Sequence, residues 1–404
     1  MSFNEARSFD LNAIDQSFID DPYPTLKTLR EFDPVHYNPD GSIYLTRYED
    51  VRAVYRDRTM ISDKTVAFSK KFGTGPLYIH HTTSLIFNDP PYHTTVRKLL
   101  AHAFTNKKLA EMEPLIESVV DSLLDDLEDI EEADFVSTFA MRLPTEVISF
   151  MLGIPAEHRR KLRGFSLAIL GALDPVVSQE RLDAGNAAVA EFGELLDELI
   201  NYRRANPEAA SQGEVLEALI FGEFEGRRLT QEELIQNCIF LLNAGHETTT
   251  SLMANGVGML LDSPEQYQLL VNQKEHTNSA IEEILRYQSP LQIGNRLTTV
   301  ESNIGGKIIP GGTYIHTSIA SANRDEQVFP HPDQIDFTRQ PNRHLAFITG
   351  IHVCLGATLA RYEGRIAFRR LIDRFPNMEP AGIPERLPLA RFRGFKELPV
   401  RYKS

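Results

Sequence analysis

A helical pattern running unbroken from Thr230 to Asp262 constrains this chain more than any other feature. Thr230-Gln-Glu-Glu233 is a capping box, in which threonine and glutamate each satisfy the other's orphan backbone N–H. Ser263-Pro264-Glu265 starts a new helix, so the pattern covers some 32 residues, or roughly 48 Å at 1.5 Å per residue. A rod of that length can cross a whole domain. Its middle breaks helix rules at Ala244-Gly245-His246-Glu247-Thr248-Thr249. Glycine costs about 1 kcal/mol relative to alanine in a helix interior, and threonine back-bonds to the carbonyl a turn earlier. Broken local rules gather at functional sites. The competing interpretation is a polar patch facing solvent.

Charge narrows the partners. With 42 basic and 56 acidic residues the formal net charge is −14, which disfavours phosphate-rich nucleic acid. Two cysteines, Cys238 and Cys354, argue against a disulfide-stapled secreted fold. The N-terminal stretch lacks the apolar core of a signal peptide, and no apolar run is long enough to span a bilayer. A cytoplasmic location is expected. No repeat, low-complexity tract or Gly/Ser linker marks a boundary, so residues 1–404 are expected to form a single domain.

Elsewhere the pattern is mostly helical. Pro24 to Glu31 reads as a short helix, and Leu109 to Ile130 carries an apolar face of three–four period. Ala184 to Arg204 repeats that habit. Asn38-Pro-Asp-Gly41 sits between two short strands as a hairpin turn, and further strands are expected at 305–312 and 314–318. The segment 393–400 reads as a final hairpin. Some thirty residues after Arg56 show little periodicity and read as a long loop. The fold class is mainly α with a small segregated β region.

Cys354 lies in Phe347-Ile-Thr-Gly350-Ile-His352-Val-Cys354-Leu-Gly356, just ahead of a helical stretch. A thiolate placed before a helix N-terminus gains from the dipole and from nearby N–H groups. Alone, such a cysteine is as readily a small buried hydrophobe. The wording F-x-x-G-x-H-x-C-x-G resembles the cysteine loop of the cytochrome P450 family, although most members carry a small or polar residue where this chain has Ile348. Ala244-Gly245-x-Glu247-Thr248 resembles that family's oxygen-activating helix. Glu283-Ile-Leu-Arg286 resembles its E-x-x-R, and Arg339 would complete a buried structural network. Recognisable elements run from Asp21 to Val400, nearly the whole chain.

The resemblance implies a cytochrome P450 fold with the long central helix over the haem. It implies haem b (iron protoporphyrin IX) with Cys354 as axial thiolate and metal ligand. His93, Arg97, Arg296 and His352 would bind the haem carboxylates; the first two, four residues apart, share a helical face. Glu247 and Thr248 would be catalytic, delivering protons to bound oxygen. A pocket of Phe240, Ala244, Leu291, Ile293 and Phe392, with parts of 68–85, would take an apolar or aromatic organic substrate. Asn243 and Gln292 are candidate polar anchors. The implied reaction is monooxygenation with O₂, by hydroxylation or O/N-dealkylation. Electrons would come from a separate ferredoxin or flavodoxin with its reductase, docking near Lys98, Arg343, Arg361 and Arg365. Rival interpretations are a haem carrier without turnover, a peroxide-driven member of the family, and a non-haem protein with a structural Cys354.

Overall fold

The protein is described by a computed structural model covering residues 6–207 and 214–402. A five-stranded sheet lies to one side of a helical body. Its strands are β1 (Val35–Tyr37), β2 (Ile43–Leu45), β3 (Met60–Ile61), β4 (Ile293–Thr298) and β5 (Tyr314–Ser318), in the order β1-β2-β5-β4-β3. Only the β2–β5 pair is parallel, with Ile43 opposite Ile315. β4 runs antiparallel to β5 and places Arg296 opposite Ile315.

The helices that shape the site are α1 (Thr65–Phe72), α2 (Pro76–Thr83), α3 (Tyr92–Ala101), α4 (Ala156–Gly171), α5 (Gln231–Asp262), α6 (Thr277–Tyr287) and α7 (Ala357–Arg374). The central rod α5 is 32 residues long and starts at the Thr230 capping box, with both reciprocal bonds formed. It packs against α2, α4, α6 and α7 and against the helices Arg142–Leu152 and Gln179–Ala205. Most of its residues are therefore buried on every side, including Asn243, His246, Glu247, Thr249 and Thr250. A solvent-facing polar patch is excluded. At Gly256 the rod meets α7 so closely that a Cβ would lie 2.2 Å from Phe368, leaving no room for a side chain. Among the described residues, no helix is long and apolar enough to cross a membrane.

Three segments depart from the sequence reading. Residues 57–87 are not a long loop but hold α1, α2 and a 3-10 turn at Leu85–Phe87. Helices of two turns are too short to reveal a period. The helix expected over 109–130 is two, Asn106–Glu111 and Glu113–Glu128, because Pro114 lacks an N–H and opens a new helix. The expected final hairpin is absent. Only Leu398 separates Phe395–Glu397 from Pro399–Arg401, too little for a two-residue turn. The first strand pairs with Glu385–Arg386, the second with Glu132–Asp134 and Glu379–Pro380.

A buried ion network joins α6 to the segment 323–342. Arg286 of α6 donates to both Glu283 carboxylate oxygens at 2.7 Å. Arg339 donates Nε to the same carboxylate at 3.1 and 3.2 Å. Asn342 and the Asp336 backbone N–H add bonds at 3.1 and 3.0 Å. Arg286 also donates to the carbonyls of Asn323 and Pro332, fastening the irregular 323–342 segment to α6.

Candidate active site

Cys354 is held by its loop's own backbone. Its N–H donates to the Phe347 carbonyl at 3.0 Å, closing the loop just before α7. Ile348 and Gly350 take left-handed φ values of 49° and 78°. For a β-branched side chain that conformation costs roughly 1–2 kcal/mol, the physical reason a small or polar residue suits the position. At Gly350 a Cβ would fall 2.0 Å from the Tyr55 carbonyl oxygen. That position admits glycine alone.

The accessible surface of Cys354 opens into an internal cavity of about 330 Å³. Burial raises the thiol pKa, against the Gly356 N–H and the charges of Arg97 and Arg361. A bound metal reverses that preference, since a coordinating thiol is deprotonated outright. No group of three metal-ligating side chains exists among the described residues. An iron at Cys354 must therefore arrive already held by other donors.

The cavity wall also gathers His93 and Arg97 from α3, Arg296 from β4 and His352 from the cysteine loop. Arg97 donates to the Val353 carbonyl at 2.7 Å. His93 and His352 rings stand 4.2 Å apart. Burial, with the charges of His352 and Arg97, pushes His93 down to about 4, so it is neutral. His352 Nε2 lies 3.1 Å from the Ser62 hydroxyl and 3.8 Å from Asp89. Burial raises the Asp89 carboxyl, but His352 and the Ser62 and Asp63 N–H groups prevail and hold it at about 2. Arg296 rests 4.7 Å over the Tyr55 ring and donates to the Asn295 carbonyl at 2.8 Å.

Three of these groups carry a buried nitrogen with no partner: His93 Nε2, Arg296 Nη2 and His352 Nδ1. An unmet buried polar group costs about 1–3 kcal/mol. Orphaned nitrogens and a thiol around one cavity fit a haem: the thiolate would take its iron, and the donors would take its two carboxylates.

Across the cavity, Thr248 lies on the wall and its hydroxyl donates to the Ala244 carbonyl at 2.6 Å. Glu247 is elsewhere. It is buried off the cavity wall, with both carboxylate oxygens unpartnered. Its oxygen lies 3.7 Å from His246 Nδ1. Burial pushes Glu247 up to about 7 against the charge of Arg163 on α4. His246 is pushed down to about 3, chiefly by burial.

Phe240, Ala244, Leu291, Ile293 and Phe392 all line the cavity, and Leu291 and Phe392 form a β-bridge. Asn243 joins them with neither amide atom partnered. Gln292 does not. Strand alternation turns it away, and its amide donates to the Ser289 carbonyl. His81 reaches the wall from the expected 68–85 segment, while Lys64, Glu363 and Arg391 also reach it and were missed by sequence reasoning. Lys64 belongs to the aperiodic stretch, while Arg391 stands beside Phe392 and could have been flagged by that neighbour. Of the four surface cations proposed for docking, Arg361 is paired with Glu282 at 2.6 Å and Arg365 with Glu113 at 2.6 Å.

Comparison with known proteins agrees with this arrangement. The family described as Cytochrome P450 matches residues 31–385. The Nocardicin C N-oxygenase of Nocardia uniformis subsp. tsuyamanensis is 38% identical, over 89% of each chain. The Vitamin D(3) 25-hydroxylase of Pseudonocardia autotrophica is 36% identical, over 95% of this chain and 94% of the relative. The crystal structure of P450BioI with a hexadec-9Z-enoic acid ligated acyl carrier protein superposes with a TM-score of 0.90 at 32% identity. It covers 96% of this chain and all of that one. From fold, site and relatives together, this chain belongs to the cytochrome P450 family of oxidoreductases.

Proposed function

We propose that the protein is a haem-thiolate monooxygenase that inserts one oxygen atom from O₂ into an apolar or aromatic small organic molecule, by hydroxylation or O/N-dealkylation. The observation that carries this reading is the meeting of Cys354, three orphaned nitrogens and Thr248 on one mostly apolar cavity. When bound, the haem supplies oxygen activation, and a cysteine thiolate on its iron favours O–O cleavage. Cys354 holds the iron. His93, Arg97, Arg296 and His352 hold the carboxylates and fix the ring's orientation.

Thr248 holds a proton at its hydroxyl on the cavity wall, within a helix turn whose carbonyl accepts it. Glu247, poised near 7, can both take up and release a proton at neutral pH. From its position off the wall, its side chain must turn to reach Thr248. The relatives' names span an N-oxygenase and a 25-hydroxylase, so kinship leaves the substrate open and the apolar wall guides it. Electrons come from a separate ferredoxin or flavodoxin with its reductase. Lys98 and Arg343 fit that docking better than Arg361 and Arg365, which are neutralised by carboxylates.

Replacing Thr248 with alanine tests the proton role. The expected result is about a 10²- to 10⁴-fold loss of product, the usual span of a positioned proton donor, while reductant consumption continues as peroxide. Product and reductant falling together, with no peroxide, would contradict the assignment.

A further inference from the structure

The cavity wall carries more positive charge than a haem's carboxylates need. Lys64, Arg97, Arg296 and Arg391 all lie on it, and among the described residues the one carboxyl there is Glu363. Burial pushes Glu363 up to about 8, so it is neutral and offers no counter-charge. Arg97 and Arg296 answer the two haem carboxylates. Lys64 is held toward its neutral form by burial, then by Arg296 and Arg391, and its amine donates to the Ser62 carbonyl at 2.5 Å. Arg391 is left over.

Arg391 is only 6% exposed, and a guanidinium stays charged. It donates Nε to the Leu173 carbonyl at 2.9 Å and Nη1 to the Ile293 carbonyl at 2.8 Å. Those bonds fix the fork between the end of α4 and the start of β4. They do not use Nη2, which has no protein acceptor among the described residues. Asp174 feels the charge of Arg391, but it accepts the backbone N–H groups of Ala390 and Arg391 at 3.2 and 3.0 Å and lies 3.8 Å from Arg181. Arg391 forms no ion pair with it. A rigid, charged fork with free donors therefore borders the apolar patch of Leu291, Ile293 and Phe392.

We propose that the substrate is an organic acid whose apolar body packs on Phe240, Leu291, Ile293 and Phe392 and whose carboxylate is received by Arg391. One guanidinium edge matches one carboxylate. This substrate class rests on the monooxygenase reading above and narrows it.

The test measures binding to the haem-loaded enzyme by calorimetry, alongside the ferric spin-state change. The probes are straight-chain and phenyl-substituted alkanoic acids of graded length, each paired with its methyl ester. At least one acid should bind about 10- to 100-fold more tightly than its ester, the usual worth of a charge-assisted hydrogen bond. Arg391→Gln should erase that preference, and Arg391→Lys should keep part of it. If no acid outbinds its ester, or if the preference survives in Arg391→Gln, the proposal is wrong. The lysine variant decides alone should the glutamine variant fail to retain haem: an undiminished preference overturns the proposal. The ferrous carbonyl spectrum separates the two readings. A red-shifted Soret band with no acid preference defeats only the substrate class, whereas loss of the band in the wild type defeats the monooxygenase reading itself.

Discussion

Cys354→Ser is expected to abolish the red-shifted ferrous carbonyl band and product formation completely, while Cys238→Ala leaves both in place. Serine cannot replace a soft thiolate, because its hydroxyl stays protonated and donates little electron density to iron. Cys238 makes the contrast sharp, because it is fully buried in the apolar core and its thiol is pushed up to about 12 by burial. Its sulfur fills space, and truncation should cost only about 1 kcal/mol. Spectra and turnover of the two purified variants check this. A Cys354→Ser protein with an unchanged carbonyl band would remove the cysteine from the iron.

Glu283→Ala should destabilise the fold by about 3–5 kcal/mol, because it strands buried positive charge. Arg286 is 1% exposed and loses both carboxylate oxygens at once. Arg339 and the Asp336 N–H lose the same acceptor. Native domains hold about 5–15 kcal/mol in total, so the variant should unfold at much lower denaturant and release its haem early. Denaturation followed by circular dichroism and haem absorbance measures it. A loss below about 1 kcal/mol would show that the network is not what secures the 323–342 segment.

The long helix was legible in the sequence because its capping box and its Ser263-Pro264 end are local chemistry. Glu283 and Arg286 were legible for a similar reason, being three apart on one helix. Cys354, His93, Arg97, Arg296 and His352 each sit in a short motif with fixed offsets, and the structure brings all five to one cavity. Glu247 shows the limit of that reading. Its neighbour Thr248 lines the cavity, but one residue of helical rotation turns the acid off the wall. Ile348 looked like a departure in wording and proves to be one in backbone, at a left-handed φ of 49°. Lys64 was illegible because nothing local marks a cation as buried, and Arg391 had only its neighbour Phe392 to point to it. Their role comes from which distant segments close over them. The terminal strands were misread for the same reason, since their partners lie as far off as Glu132–Asp134.

The ferrous carbonyl spectrum of the haem-loaded wild type tests the central claim most directly. Ligation of iron by Cys354 predicts a Soret band strongly red-shifted from that of histidine-ligated haem proteins. An unshifted band in a folded, haem-loaded sample would mean that Cys354 is not the iron's thiolate ligand.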